Sequence, residues 1–231
     1  GWFASGKDTL PGSKWLSKRE VKKRLPRISN RIHSAVLYYD GQLDDARYCL
    51  AIAQTAAAKG ATVANHIEIT GFEHDDQGQV VAALARDLRT GEALKIRAKV
   101  FINCTGPFAD HIRLKANPQL VERIRPSKGV HAILPYDVLG GDDALLIPKT
   151  PDGRVVFAIP FQGRLMLGTT DDDYNQLEQE PILDGKEVEF LLETLNPYLD
   201  KSSEHTQVRA GFGGLRPLIA ADPSQGTKGL V

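Results

Sequence analysis

Apolar positions recur along this chain in two rhythms, and the helical one is sparse. Leu43, Ala46, Leu50, Ala53 and Ala57 fall at helical spacing, which predicts a helix over 43–59. Gly60 follows where a left-handed C-terminal cap belongs. Leu16 to Leu25 predicts a shorter helix, capped by Ser17 and closed by Pro26. Phe108 to Leu114 begins another, and Glu187 to Leu195 predicts one ended by Asn196-Pro197. Strand signals fill much of the rest. Ala35 to Tyr39 reads as a buried strand followed by an Asp40-Gly41 turn, and Val63, Ile67 and Ile69 as a half-buried one. Gln79 to Leu88 and Ala93 to Lys99 form a hairpin through Arg89-Thr90-Gly91-Glu92. Val100 to Asn103 is an apolar run, read as a buried strand, that stops at Cys104-Thr105-Gly106-Pro107. From Gly129 to Asp171 the segments are again β-type, and Val208 to Leu218 passes through Gly211, Gly213 and Gly214 to Arg216-Pro217.

These elements predict a mixed α/β (α+β) architecture: part of a βαβ and meander domain, then a mostly antiparallel sheet with one helix. Composition agrees with a folded chain. The 231 residues are 42% hydrophobic, enough for a core and too many for a disordered tail. The longest run without Asp, Glu, Lys or Arg is the eleven residues Tyr48 to Ala58, whereas a membrane-spanning helix needs roughly 20 apolar residues. The first residues lack the basic-then-apolar order of a secretory signal. Two cysteines, Cys49 and Cys104, make no disulfide framework, so a reducing, cytoplasmic setting is expected.

The 29 basic and 29 acidic residues cancel, which argues against non-specific nucleic-acid binding. They are unevenly spread. Gly1 to His33 carries nine basic residues against two acids, while Thr170 to Glu204 carries eleven acids against Lys186 and Lys201. Two solvated helical faces account for this, and an anionic surface as partner of the basic head is the alternative.

Several chemistries find no support. The six histidines never fall at metal-ligand spacing and there is no Cys-x-x-Cys, so no metal site is expected. Neither Gly-x-Ser-x-Gly nor a Walker A sequence occurs. Gly211-Phe-Gly213-Gly-Leu-Arg216 begins like a dinucleotide fingerprint, but Arg216 replaces the last glycine and Pro217 follows. Strand, Gly-containing turn and helix start at 100–114 is how α/β proteins approach a nucleotide or phosphate. Arg216, beside glycines, either grips a carboxylate or phosphate or braces its own loop. His131, between Gly129 and Ala132-Ile133-Leu134, reads either as a core histidine or as a group aimed into a crowded site.

A series of motifs decides between these readings. Leu37-Tyr-Tyr-Asp-Gly-Gln-Leu-Asp-Asp-Ala-Arg47, Ile102-Asn-Cys-Thr-Gly-Pro-Phe-Ala-Asp110, Lys128-Gly-Val-His131, Leu146-Ile-Pro-Lys149, Phe157-Ala-Ile-Pro160, Gly168-Thr-Thr-Asp171 and Gly214-Leu-Arg-Pro217 occur in that order. The set resembles the FAD-dependent glycerol-3-phosphate dehydrogenases, the membrane-associated, quinone-linked family. The related FAD-dependent glycerol-3-phosphate oxidases share much of it. The resemblance also implies what is not here: the family's first strand with Gly-x-Gly-x-x-Gly, and a Gly-Gly-Lys-Leu-Thr-Thr-type segment after Gly-Leu-Arg-Pro. The chain stops fourteen residues after Pro217, so it is expected to be an internal fragment, inactive alone.

Three parts follow from the resemblance: 1–120 as a partial FAD-binding domain with a helical basic head at 1–34, 121–218 as the substrate-binding sheet, and 219–231 as a truncated return segment. The implied reaction is oxidation of sn-glycerol 3-phosphate to dihydroxyacetone phosphate, with FAD as cofactor and quinone as electron acceptor. The implied setting is the cytoplasmic face of the inner membrane, bound peripherally, with a homodimer allowed for. His131 and Arg216 are the implied catalytic pair. Arg216, Thr169, Thr170 and Lys128 are the implied substrate contacts, and Thr105, Gly106 and Pro107 the FAD contact. Asp44, Asp45 and Arg47 are read as structural, an acid pair at a helix N-terminus. An oxygen-using oxidase and a non-catalytic binding module are the competing expectations.

Overall fold

The computed structural model describes residues 10–148, 150 and 153–219. In chain order they form β1 (Lys14–Ser17), α1 (Lys18–Arg24), β2 (Ser34–Leu37), α2 (Asp45–Ala58), β3 (Ile67–His74), β4 (Val80–Asp87), β5 (Ala93–Arg97), α3 (Ala109–Ala116), β6 (Ile124–Pro135), β7 (Leu145–Ile147), β8 (Val156–Phe161), β9 (Arg164–Gly168), β10 (Asp172–Asp173), α4 (Gly185–Leu195) and β11 (Ala210–Ile219). Among the described residues every ladder between these strands is antiparallel, and with the helices they make a mixed α/β fold. The chain divides into two compact units, residues 40–122 and the two flanking segments 1–39 and 123–231. The return segment expected from 219 onward lies outside the described residues beyond Ile219.

The flanking unit is built on β6. β11 runs along one side of it, from Ile124↔Ile219 to Ile133↔Ala210. The other side takes β9 at His131–Pro135 and β10 at Ser127–Lys128. β8 and β7 extend the sheet beyond β9. Strand alternation puts Lys128, Val130, Ala132 and Leu134 on one face and Ser127, Gly129, His131 and Ile133 on the other. The first face carries the core: Val130, Ala132 and Leu134 are fully buried, with Leu165, Leu167, Val156 and Ala158 from β9 and β8. Helix α4 adds Val188, Leu191, Leu192 and Leu195 to this cluster at helical spacing. Burying each such side chain contributes about 1.5–3 kcal/mol. Asp184 starts α4 firmly: its carboxylate accepts the N–H groups of Lys186 and Glu187, both at 2.9 Å, and Glu187 accepts the Asp184 N–H in return.

The basic head differs from its expected form. Among the described residues of the head, β1 pairs with β2 from Lys14↔Leu37 to Ser17↔Ser34, and only α1 is helical. Its apolar residues Leu16, Val21, Leu25 and Ile28 join the cluster of the sheet and α4, so the head groups with 123–219 and not with 40–122. Leu16 on β1, Val21 on α1 and Leu25 at its C-cap are all buried. The charges are met nearby. Arg24 pairs with Asp143 at 2.8 Å and Arg27 with Asp200 at 3.5 Å, and Lys18 donates to the Asn30 carbonyl at 2.6 Å.

Unit 40–122 holds the meander β3-β4-β5. The expected hairpin forms, with Gly91 at φ +79° and the Asp87 carboxylate accepting the Arg89 N–H at 2.7 Å. That bond above all holds the Asp87 carboxyl below its ordinary value. Helix α2 is capped by Asp44, which accepts the Arg47 N–H at 3.1 Å, yet none of its residues is buried. The buried strand expected at 100–103 is not formed: Val100 is 71% and Ile102 81% exposed. A strand needs a partner for its N–H and C=O groups. β4 pairs with β5 only over Ala93–Arg97, and no described strand runs beside 100–103.

Candidate active site

The face of β6 opposite the core gathers three of the residues singled out from the sequence, Arg216, His131 and Thr169. Arg216 stands on β11 across from Ser127, and its guanidinium lies back over Gly129. A methyl group at Gly129 would lie 2.4 Å from Nη2 and 2.6 Å from Nη1, so glycine makes this placement possible. Nη2 donates to Thr169 Oγ1 at 2.9 Å and Nη1 to the Thr170 carbonyl at 3.1 Å. The Asp171 carboxylate is 3.8 Å from Nη1, and its Oδ1 accepts the hydroxyl of Ser127. The arginine is therefore oriented by three consecutive residues, 169–171, and keeps 38% of its side chain exposed.

His131 lies two residues further along β6, about 6.6 Å by the usual strand rise, and on the same face. Its cross-strand neighbours are Phe212 on β11 and Gly168 on β9. The imidazole stacks on the Phe212 ring, centroids 5.0 Å apart and planes 16° from parallel. A methyl at Gly168 would come within 2.3 Å of imidazole carbon. Two glycines thus open the space in which the Arg216 and His131 side chains lie, each beside the backbone it crosses. A guanidinium and an imidazole set side by side can hold an anionic or polarised oxygen and take up a proton near it.

Two of the expected substrate contacts are placed differently. The Thr170 side chain is 1% exposed, and its hydroxyl accepts the Val130 N–H at 3.2 Å. Only its carbonyl faces Arg216. Lys128 is on the core face of β6, where its ammonium meets Glu187 of α4 at 2.9 Å with 12% and 11% of the two side chains exposed. The structure does not bring it to His131 and Arg216. Ser127, Asp171 and Phe212, which the sequence reading passed over, do lie there.

Thr105, Gly106 and Pro107 belong to the other unit. Asn103 Oδ1 accepts the N–H and hydroxyl of Thr105 at 3.2 and 2.8 Å, and Asn103 Nδ2 donates to the Ala109 carbonyl at 2.9 Å. This fixes a turn, Gly106–Phe108, leading into α3. Gly106 has φ +56°, and no atom lies within 4 Å of where its Cβ would be. A half-buried glycine with open space where a side chain would stand, beside a helix start, suits a phosphate-bearing cofactor.

Residues 1–231 match the family described as FAD dependent oxidoreductase; the chain belongs to this family of flavoproteins. Among its relatives one enzyme recurs. The probable mitochondrial glycerol-3-phosphate dehydrogenase of Caenorhabditis elegans is 39% identical over 99% of the chain and 32% of its own length. The mitochondrial glycerol-3-phosphate dehydrogenase of Bos taurus is 36% identical over 99% of the chain and 32% of its own. The chain thus spans about a third of these relatives. The glycerol-3-phosphate dehydrogenase of Bacillus halodurans, solved with FAD, superposes with a TM-score of 0.80 at 28% identity, over 91% of this chain and 45% of that one.

Proposed function

We propose that the protein carrying this chain oxidises sn-glycerol 3-phosphate to dihydroxyacetone phosphate and passes the electrons to quinone. The reading is carried by one observation: Arg216, held over Gly129, shares a sheet face with His131. The relatives' names supply the substrate. Arg216 binds the phosphate or the C2 oxygen, and the Thr169 hydroxyl and Thr170 carbonyl hold it in place. His131 takes the C2 hydroxyl proton on an imidazole nitrogen and later returns it to solvent, with Phe212 fixing the ring plane. Bound FAD supplies the hydride acceptor. Thr105, Gly106 and Pro107 receive the FAD pyrophosphate. Lys128 acts as a brace between β6 and α4. Catalysis needs parts of the protein beyond this chain, so the chain alone is inactive.

We place this protein peripherally on a quinone-bearing membrane, at the cytoplasmic face of the inner membrane, with a homodimer allowed for. No helix among the described residues is long and apolar enough to cross a membrane. The test uses the full-length protein, mixed anaerobically with glycerol 3-phosphate while the flavin absorbance is followed. Bleaching, then recovery on adding a soluble quinone but not on adding oxygen, is expected. Recovery with oxygen makes it an oxidase; no bleaching refutes the reading. Vesicle sedimentation and light scattering check the membrane contact and the dimer.

A further inference from the structure

The segment after β9 reads Asp171-Asp172-Asp173, and each acid meets an arginine from elsewhere in the unit. Asp173 pairs with Arg125 at 3.0 Å and Asp172 with Arg154 at 3.2 Å. These two pairs anchor β10 itself. Asp171 is anchored differently: its Oδ1 takes the hydroxyl of Ser127, whose side chain is fully buried, and the same oxygen faces Arg216 Nη1 at 3.8 Å. This separation is too long for a hydrogen bond, so the carboxylate acts on the guanidinium by charge, from a fixed direction. Nη1 and Nη2 meanwhile make their hydrogen bonds to Thr170 and Thr169.

We propose that Asp171, oriented by Ser127, is a positioning residue for Arg216: its charge turns the guanidinium over Gly129 and toward His131. This rests on the role given to Arg216 above. The carboxylate also partly neutralises the arginine, so an anionic substrate meets Arg216 with an acid already beside it. Removing the charge therefore has two separable effects. The guanidinium loses its fixed direction, which lowers turnover, while a bound anion loses a nearby repulsion, which leaves its affinity equal or greater.

The experiment uses the full-length, FAD-loaded protein and compares Asp171→Asn, Asp171→Glu, Ser127→Ala and Arg216→Ala. The readouts are kcat and KM for glycerol 3-phosphate, the calorimetric affinity for inorganic phosphate, and the thermal midpoint. For Asp171→Asn the expected result is a kcat lower by about tenfold or more, the scale of a misplaced catalytic contact, at equal or tighter phosphate affinity and an unchanged midpoint. Asp171→Glu recovers part of kcat, and Ser127→Ala shows a smaller loss of the same kind. Unchanged kcat in Asp171→Asn overturns the proposal. So does a loss that follows a lowered midpoint without rescue by Asp171→Glu. If Arg216→Ala keeps both kcat and phosphate affinity, the reading of Arg216 itself fails. If Arg216→Ala loses both and Asp171→Asn loses neither, only the role of Asp171 falls.

Discussion

Replacing Gly129 with Ala tests whether Arg216 works from the place it occupies. The added methyl would lie 2.4, 2.6 and 2.7 Å from Nη2, Nη1 and Cζ of Arg216, against roughly 3.5–4.0 Å for an ordinary carbon contact. The guanidinium must move outward by about 1 Å, a displacement that can cost about a hundredfold in rate. It would break the 2.9 and 3.1 Å bonds to Thr169 and Thr170. Hydrogen bonds to a charged group contribute about 1.5–3 kcal/mol each, so losing one lowers kcat/KM by roughly ten- to a hundredfold. The fold should bear the change, because only the far end of a flexible side chain is in the way. Steady-state dye reduction with glycerol 3-phosphate on the full-length protein gives kcat/KM, and scanning fluorimetry gives the midpoint. A kcat/KM within twofold of the parent at an unchanged midpoint would refute the reasoning.

Gly168→Ala should displace the His131 ring in the same way, lowering kcat more than raising KM; equal effects on both would point to general disruption of the sheet. Lys128→Met should cost about 2–4 kcal/mol of stability in urea melts, since it strands Glu187 at a nearly buried site, with KM changed less than twofold. A tenfold rise in KM at preserved stability would return Lys128 to the substrate. Leu191→Ala, at a fully buried position of α4, should cost about 2–5 kcal/mol by the same melts. Because the Asp87 carboxyl is held below its ordinary value by the Arg89 N–H, its contribution to the turn is present above the unfolded carboxyl's pKa. It is lost as pH falls through the lower folded value. A carbon-13 titration of Asp87 with a midpoint at or above the ordinary carboxylate value would contradict this.

The local elements were largely legible because their signals are local. Asp87 to Glu92 carries its own turn chemistry, and Val188 to Leu195 its own apolar stripe. What escaped depends on partners distant in sequence. Nothing near Lys128 announces that Glu187 lies 2.9 Å away, and only the strand alternation, counted from Val130, puts it on the core face. Ser17 caps α1 as its chemistry indicates, but Leu16, read as part of the helix, pairs with Ala35 on β2. Val100 and Ile102 read as buried because they are apolar, but burial needs a covering surface. In the site, glycine was the overlooked signal. Gly129, with Gly214 across from it, and Gly168 leave gaps in a face that otherwise carries side chains such as Ser127, His131 and Met166, and Asp171 is recognisable only once Ser127 and Arg216 converge on it.

The division of the chain also bears on the order in which its parts can be buried as it is made. Ile28 bridges Leu199, about 170 residues later, and translation at about 5–20 residues per second separates their synthesis by roughly 10–30 s. The ladders of unit 40–122 join consecutive strands β3, β4 and β5, so that unit can close while the rest is still being synthesised. Leu16, Val21, Leu25 and Ile28 are all made before β6, β9 and α4, which bury them. These apolar residues are made well before the partners that bury them, which leaves the segment 16–28 open to a holding chaperone during synthesis.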